Sequence, residues 1–300
     1  MERRQLEYFL AVVEHAGFTN AARVLQVAQP SLSHTIAALE ADMGGQLFHR
    51  LPHGAELTAA GEALVEPARQ VTRDLATAAA SVREVLGLSG GRLDIVAQTT
   101  LAVDPLAAML GRFLGMHPKV ALRVNDPERG SDVDRIVRTG QCELGLVSSA
   151  ALAGELDGVD LVEQELRLVF PPQRARLPQR AVPLRELATL SFVATPEGTA
   201  TRDILEDTVR GLGAAPTVAV QTAHRAMIVP LVLAGAGVSL LPMSMAEDAA
   251  AKGASVSSTR PALRYQGRLV WRRGPLSPAA SSFVAMTRAH FAAAVGPHRR

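Results

Sequence analysis

One short segment near the amino terminus carries a row of small polar side chains on one side of a predicted helix. In QPSLSHTIAALE, residues 29–40, apolar residues recur at helical spacing on one side, and Pro30 suits the first turn of a helix. The other side presents small hydrogen-bonding groups: Gln29, Ser31, Ser33 and His34. Gln can pair with adenine through two hydrogen bonds, and Ser can reach bases or phosphates. We therefore predict that this row, together with Pro30, contacts DNA.

The flanking sequence predicts the elements that would present this helix to DNA. Apolar spacing indicates a first helix that ends at Gly17, a second helix capped by Thr19, and a stop for the third helix at Gly44. QLFHRLPHGAELT then indicates strand, turn and strand, which is a wing. This order is typical of a winged helix-turn-helix, whose second helix lies in the major groove. Arg50 and His53, near the wing tip, are predicted to contact the DNA backbone or minor groove.

The charge of residues 1–58 works against DNA binding. This segment contains four arginines, no lysine and six carboxylates, a formal charge of −2. Because phosphate neutralisation supplies most non-specific affinity, a single copy should bind weakly. Dimerisation would double the contacts, and protonation of His34, His49 and His53 would add charge below about pH 6.5.

A long helix is predicted after Thr58, which can cap it. Apolar residues fall seven apart, with a second series at an offset of four: Leu64, Val71, Ala78 and Val85, then Ala68, Leu75 and Val82. This a/d pattern predicts a dimerising helix, bent near its start by Pro67. The alternative is an amphipathic helix packed on its own domain. GLSGGR, residues 87–92, is expected to be a hinge.

The rest of the chain alternates between strand and helix patterns, which predicts largely parallel sheets. In such sheets ligands bind beyond the carboxyl ends of the strands. The candidate effector residues at those ends are Thr99, Thr100, Ser148, Pro196, Thr199 and Thr222, with Arg202 in a following helical turn. Hydroxyls beside helix starts suit a carboxylate or another small anion. Each hydroxyl could instead only cap its own helix.

Composition narrows the classes of function. The 300 residues carry a formal charge of +2, and the single Cys142 excludes an internal disulfide and fits a reducing compartment. No signal-peptide pattern opens the sequence, so we expect a cytoplasmic protein. Residues 226–246 are uncharged, but interspersed Pro and Gly predict a buried helix and strand in place of a membrane span. No catalytic pairing, metal-ligand set or dinucleotide motif is evident, so we expect no enzyme, metal or cofactor.

The sequence resembles the LysR-type transcriptional regulators along nearly its whole length. The resemblance rests on QLEYFLAVVEHAGFTNAARVLQVAQPSLSHTIAALEADMGGQLFHR, on LTAAGEAL and on VLAGAGVSLLP. It implies an α/β multidomain protein: an N-terminal winged helix-turn-helix, a long linker helix and a two-lobed effector domain folded like a periplasmic binding protein. The expected limits are 1–58, 59–90 for the linker helix and hinge, 91–162 with 266–300 for one lobe, and 163–265 for the other.

The resemblance also implies function and partners. We expect a homodimer or homotetramer that binds an interrupted inverted repeat in double-stranded DNA, acts with RNA polymerase and responds to a small-molecule effector between the lobes. Members of the family often carry Arg in the recognition helix, where this chain has His34 and Ala37, and a basic wing residue where it has His53. We expect these departures to affect DNA affinity and operator preference and not the fold. The alternative is a regulator whose C-terminal domain binds no ligand and serves only oligomerisation.

Overall fold

The protein forms two compact units. The computed structural model describes residues 1–51, 54–85, 91–127, 132–148, 156–172 and 181–295. The first unit, the DNA-binding unit, consists mainly of Met1–Gly91. The second, the effector unit, comprises most of the chain from Arg92 onward.

The DNA-binding unit is a winged helix-turn-helix followed by a long helix. Its elements are α1 (Arg3–Glu14), α2 (Phe18–Leu25), α3 (Gln29–Met43), β1 (Phe48–Leu51), β2 (Gly54–Leu57) and α4 (Ala59–Val85). The wing strands β1 and β2 are antiparallel. On α3 the apolar side is fully buried at Leu32, Ile36 and Leu39, where it packs in one core with Phe9 of α1. Burial of one helix side leaves the opposite side of α3 available to solvent.

The start of α2 differs from the prediction. Thr19 lies within the first turn, and the N-cap is Gly17, whose φ of +154° favours glycine. Phe18 opens the helix because its ring packs edge-on against Phe48, with ring centroids 5.5 Å apart. The predicted stop of α3 is confirmed, since Gly44 adopts the left-handed C-cap conformation.

Two side chains attach the wing to the helices. Glu40 of α3 accepts hydrogen bonds from the backbone N–H groups of Leu47, at 2.8 Å, and Phe48, at 3.3 Å. Thr58 accepts one from the Gly61 N–H at 3.0 Å, as predicted for the cap of α4. A Cβ at Gly61 would lie 2.1 Å from the Leu47 carbonyl oxygen, so only glycine permits this close approach of α4 to the wing.

The effector unit contains the remaining elements. Its helices are α5 (Thr99–Leu101), α6 (Ala107–Met116), α7 (Asp132–Arg138), α8 (Ala200–Arg210), α9 (Ile228–Leu233), α10 (Met243–Ala251) and α11 (Pro278–Val295). Its strands are β3 (Arg92–Ala97), β4 (Ala121–Asn125), β5 (Leu144–Ser148), β6 (Asp157–Phe170), β7 (Val182–Pro183), β8 (Ser191–Ala194), β9 (Thr217–Gln221), β10 (Ser239–Pro242), β11 (Ser255–Ser257), β12 (Thr259–Arg260) and β13 (Arg264–Trp271). A seven-stranded sheet has the order β10-β6-β13-β5-β3-β4, with β11 also on β6.

The expectation of largely parallel sheets is wrong for the strands at the centre. β3 is parallel to β4 and β5, and β8 is parallel to β9. β6 and β13, however, are antiparallel to each other and to their other partners, because one carries the chain out of the first lobe and the other returns it. β6 pairs with β13 along Asp157–Glu165 and with β10 and β11 along Leu166–Phe170. These long strands therefore connect the two halves of the effector unit.

The chain after β3 forms two helices separated by an interruption. α5 ends at Leu101, and Asp104 has non-helical angles, φ −146° and ψ 118°, before α6 begins. The interruption lies against β13, where the register shifts between Gln266 and Arg268. A Cβ at Gly267 would lie 2.6 Å from a methyl carbon of Leu101, so glycine allows α5 to approach this bulge.

The uncharged run at 226–246 is a short helix and a strand, as predicted, followed by the start of α10, which was not predicted. Ile228 and Val232 of α9 and Leu241 of β10 are buried. Among the described residues, no helix combines the length and hydropathy needed to cross a bilayer.

Candidate functional site

The recognition helix α3 presents the predicted polar row on its exposed side. Gln29, Pro30, Ser31 and His34 are exposed, and Ser33 is half-buried. The Gln29 side-chain amide donates a hydrogen bond to the Ser33 hydroxyl at 3.0 Å, which leaves the Gln29 carbonyl oxygen free to accept one from a base. The geometry therefore offers a small hydrogen-bonding surface of the kind that reads base edges in the major groove.

The wing carries two further predicted DNA contacts. Arg50 lies in β1, opposite Ala55 of β2, and His49 lies opposite Glu56. His53 and the side chain of Arg50 fall outside the described residues. Their contact with DNA stays a prediction.

The long helix α4 has two different halves. Near its start, Ala68 is buried in the core of the DNA-binding unit and Leu64 packs beside it. Farther along, the heptad positions are exposed: Val71 by 39%, Leu75 by 43% and Val82 by 61%. The first half thus fits the amphipathic-helix interpretation, whereas the second half exposes an apolar stripe suited to a partner helix.

A cleft opens within the effector unit. It is lined by residues that follow β3, β4, β8 and β9: Gln98, Thr100, Pro127, Thr199, Ala200, Thr201 and Arg225. The first three belong to the predicted lobe of 91–162, and the other four belong to the predicted lobe of 163–265. The cleft therefore lies where ligands are expected in α/β sheets, beyond the carboxyl ends of strands.

One wall of the cleft is fixed by hydrogen bonds near the end of β3. The Gln98 side-chain oxygen accepts a hydrogen bond from the Ser148 N–H at 2.8 Å, which leaves the amide nitrogen of Gln98 as a donor. Thr99 donates to the Asp126 carboxylate at 2.8 Å. Thr100, the next residue, is buried and lines the cleft. Its hydroxyl oxygen is buried and makes no hydrogen bond with any described residue.

The opposite wall is the amino-terminal turn of α8. Thr199 is its N-cap, and the Thr199 hydroxyl donates to the Pro196 carbonyl at 2.9 Å. Ala200 and Thr201 follow along the lining of the cleft. Because backbone N–H groups and the helix dipole point out of such a turn, it favours negative charge in the cleft.

Arg225 supplies a cation that the sequence analysis missed. It is half-buried on the cleft wall, and among the described residues it makes no hydrogen bond or ion pair. Burial lowers the pKa of Arg225, whereas the Asp126 carboxylate acts in the opposite direction. A desolvated guanidinium without a close counter-charge is well placed to receive an anion. The sequence could have indicated Arg225 by its position, three residues after Thr222, which directly follows the end of β9.

The structure brings two of the seven predicted effector residues, Thr100 and Thr199, to the cleft lining. Arg202 is only 8% exposed and donates to Glu206 at 2.5 Å, so it holds α8 together. Thr222 accepts a hydrogen bond from the His224 N–H, at 3.0 Å. Thr99, Ser148 and Pro196 contribute through the hydrogen bonds given above, as supports of the walls. Local hydrogen bonds within the walls therefore explain most of these positions.

Family comparisons match both units. Residues 3–62 match the bacterial regulatory helix-turn-helix protein, lysR family, and residues 86–292 match the LysR substrate binding domain. The HTH-type transcriptional regulator YnfL of Escherichia coli K12 is 30% identical over 81% of this chain and 83% of its own. The RuBisCO operon transcriptional regulator of Allochromatium vinosum is 29% identical over 93% of each chain.

Solved structures share the fold. Full-length CbnR in complex with its target DNA superposes with a TM-score of 0.69, at 24% identity, over 96% of this chain and 99% of CbnR. A full-length OxyR variant from Pseudomonas aeruginosa gives a TM-score of 0.74, at 21% identity, over 96% and 95%. The fold, the matched domains and the relatives agree, and the chain belongs to the LysR family of DNA-binding transcriptional regulators with an effector-binding domain.

Proposed function

We propose that this regulator binds an interrupted inverted repeat as a dimer or tetramer, and that a small anionic metabolite in the effector cleft controls it. The observation that carries the proposal is Arg225, a half-buried cation that faces the same cleft as the amino-terminal turn of α8. Both groups favour negative charge, and the Gln98 amide nitrogen adds a donor on the other wall. A small carboxylate satisfies all three.

The two walls come from different lobes, so an anion held between them stabilises a particular lobe arrangement. Without an anion, Asp126 is the carboxylate that attracts Arg225 from across the cleft. An effector replaces this attraction with shorter, charge-assisted hydrogen bonds. Because the effector binds one lobe arrangement more tightly than the other, it shifts the equilibrium between these two arrangements. This shift changes the spacing of the DNA half-sites.

On the DNA side, Gln29, Ser31 and His34 are exposed on α3 for base and phosphate contacts. The deficit of positive charge in residues 1–58 makes pairing of two units necessary for strong binding. The apolar stripe of α4 gives the surface on which two copies would pair.

The test is calorimetric titration of the full chain with a panel of small carboxylates, followed by the Arg225→Gln variant. Loss of a charge-assisted hydrogen bond costs about 1.5–3 kcal/mol, so the carboxylate that binds should bind roughly 10- to 150-fold more weakly. Arg210→Gln is the matched control, because Arg210 is a surface residue at the far end of α8 that pairs with Asp207. Equal affinities in the two variants would remove Arg225 from the effector site, and no binding of any carboxylate to the wild type would favour the ligand-blind alternative.

A further inference from the structure

A carboxylate is fixed beside the effector cleft, on the wall formed by the ends of β3 and β4. The Asp126 carboxylate accepts a hydrogen bond from the Thr99 hydroxyl at 2.8 Å. Thr99 lies between two residues that line the cleft, Gln98 and Thr100. Pro127, the residue after Asp126, also lines it. The Asp126 carboxylate is therefore held next to lining residues from two segments of the same wall.

Asp126 keeps hydrogen-bonding capacity for a ligand. It is exposed, and from the described residues its carboxylate accepts only the hydrogen bond given above. Because a carboxylate has two oxygens and about four lone-pair sites, most of this capacity is unused. Two carboxylates near the start of α8 interact within their own wall instead: Asp203 accepts from the Gly198 N–H at 3.1 Å, and Glu197 lies 3.9 Å from Arg202.

Opposite charges lie at the two walls of the cleft. Arg225, on the wall opposite Asp126, is half-buried and makes no hydrogen bond or ion pair with any described residue, Asp126 included. Burial lowers the pKa of Arg225 and the Asp126 carboxylate opposes this effect, so the two charges attract each other at longer range. A carboxylate and a guanidinium that do not reach each other suit a ligand that carries both charges.

We propose that the effector is a carboxylate that also carries an ammonium group, as an amino acid does. Its carboxylate binds Arg225 and the amino-terminal turn of α8, and its ammonium donates to Asp126. Asp126 is thus a specificity-determining residue, because a ligand with a hydroxyl in place of the ammonium loses an attraction between opposite charges. This inference rests on the proposed function, since it assigns the second functional group of the same effector.

Pairs of acids that differ only in an ammonium or a hydroxyl group test the preference. The full chain is titrated calorimetrically near neutral pH with the L-isomers of alanine and lactate, aspartate and malate, and glutamate and 2-hydroxyglutarate. In the pairs that bind, the amino acid should bind at least roughly tenfold more tightly than the hydroxy acid. Tenfold is the lower end for a charge-assisted hydrogen bond, as expected because Asp126 is exposed to solvent screening.

Asp126→Asn removes the negative charge but keeps an oxygen that can accept from Thr99, so the wall is retained. The ratio of amino-acid to hydroxy-acid affinity should then fall to within about threefold, mainly because the amino acid binds more weakly. Asp248→Asn, at an exposed aspartate of α10, is the matched control and should leave the ratio unchanged.

The outcomes separate this inference from the proposed function. Hydroxy acids that bind the wild type as tightly as their amino partners, and lose affinity in Arg225→Gln, would overturn the inference and leave the proposed function standing. An Asp126→Asn variant that changes the affinities of both members by the same factor would give Asp126 a structural or charge-balancing role and would also overturn the inference. Failure of every acid to bind the wild type would overturn the inference and the proposed function together.

Discussion

Replacing Leu75 by glutamate places a charge at the centre of the exposed stripe of α4. Leu75 is 43% exposed and lies between Val71 and Val82, which are 39% and 61% exposed. If two copies pair through this stripe, the remaining exposed surface of Leu75 becomes buried in the dimer. In a two-fold interface the substitution enters twice, once from each chain.

The magnitude follows from the exposure of this side chain. Full burial of a leucine contributes about 1.5–3 kcal/mol, so covering the 43% that is exposed contributes roughly 1 kcal/mol per chain. Placing a carboxylate in the apolar seam costs at least about 1 kcal/mol more per chain, because it loses hydration and faces a like charge. For two chains the loss is at least about 4 kcal/mol, or roughly a thousandfold in the self-association constant.

Sedimentation equilibrium of the full chain measures this association directly. Ala76→Glu is the matched control, because it adds the same charge to α4 at an exposed position outside the stripe. We expect Leu75→Glu to dissociate and to lose the paired half-site footprint, while Ala76→Glu retains both. Equal self-association of the two variants would refute the reasoning and assign the dimer contact to another surface.

Two further predictions concern the DNA-binding unit. Gly61→Ala should destabilise this unit by about 2 kcal/mol or more in calorimetric unfolding, because the new Cβ meets the Leu47 carbonyl. The control is Gly115→Ala in α6 of the effector unit, which has open space around it and should stabilise slightly. Arg50→Ala should weaken binding to all DNA sequences alike and lower the slope of log affinity against log salt by about one unit; an unchanged slope would exclude a phosphate contact.

Local signals in the sequence predicted much of the DNA-binding unit. Helix α3 could be delimited because Pro30 favours its first turn and Gly44 supplies the left-handed cap. The wing was evident from a turn signal between two short apolar strands. The attachment of the wing to the helices was not evident, because Glu40 and Gly61 act through contacts with Leu47 that no local pattern encodes. The N-cap of α2 was misplaced for the same reason, since the packing of Phe18 on Phe48 decides where that helix begins.

In the effector unit, strand and helix periodicity gave most elements but not their pairing. β6 runs for 14 residues, longer than an ordinary strand, and nothing local marks the residue at which it changes partners. α10 was missed because its alanines follow an apolar run that already accounted for a buried helix and strand. Strand ends led to Thr100 and Thr199, which line the cleft. They could not show that Arg202 turns toward Glu206 while Arg225 faces the cleft.

The central claim is that a small anion in the Arg225 cleft changes how this chain occupies its operator. The most direct measurement selects bound fragments from the genomic DNA of the source organism and footprints the best one with and without the panel of carboxylates. We predict two protected half-sites, a pattern that one acid changes, and the loss of that change in Arg225→Gln. A footprint that no acid alters, or one that the same acid alters equally in Arg225→Gln, would contradict the account.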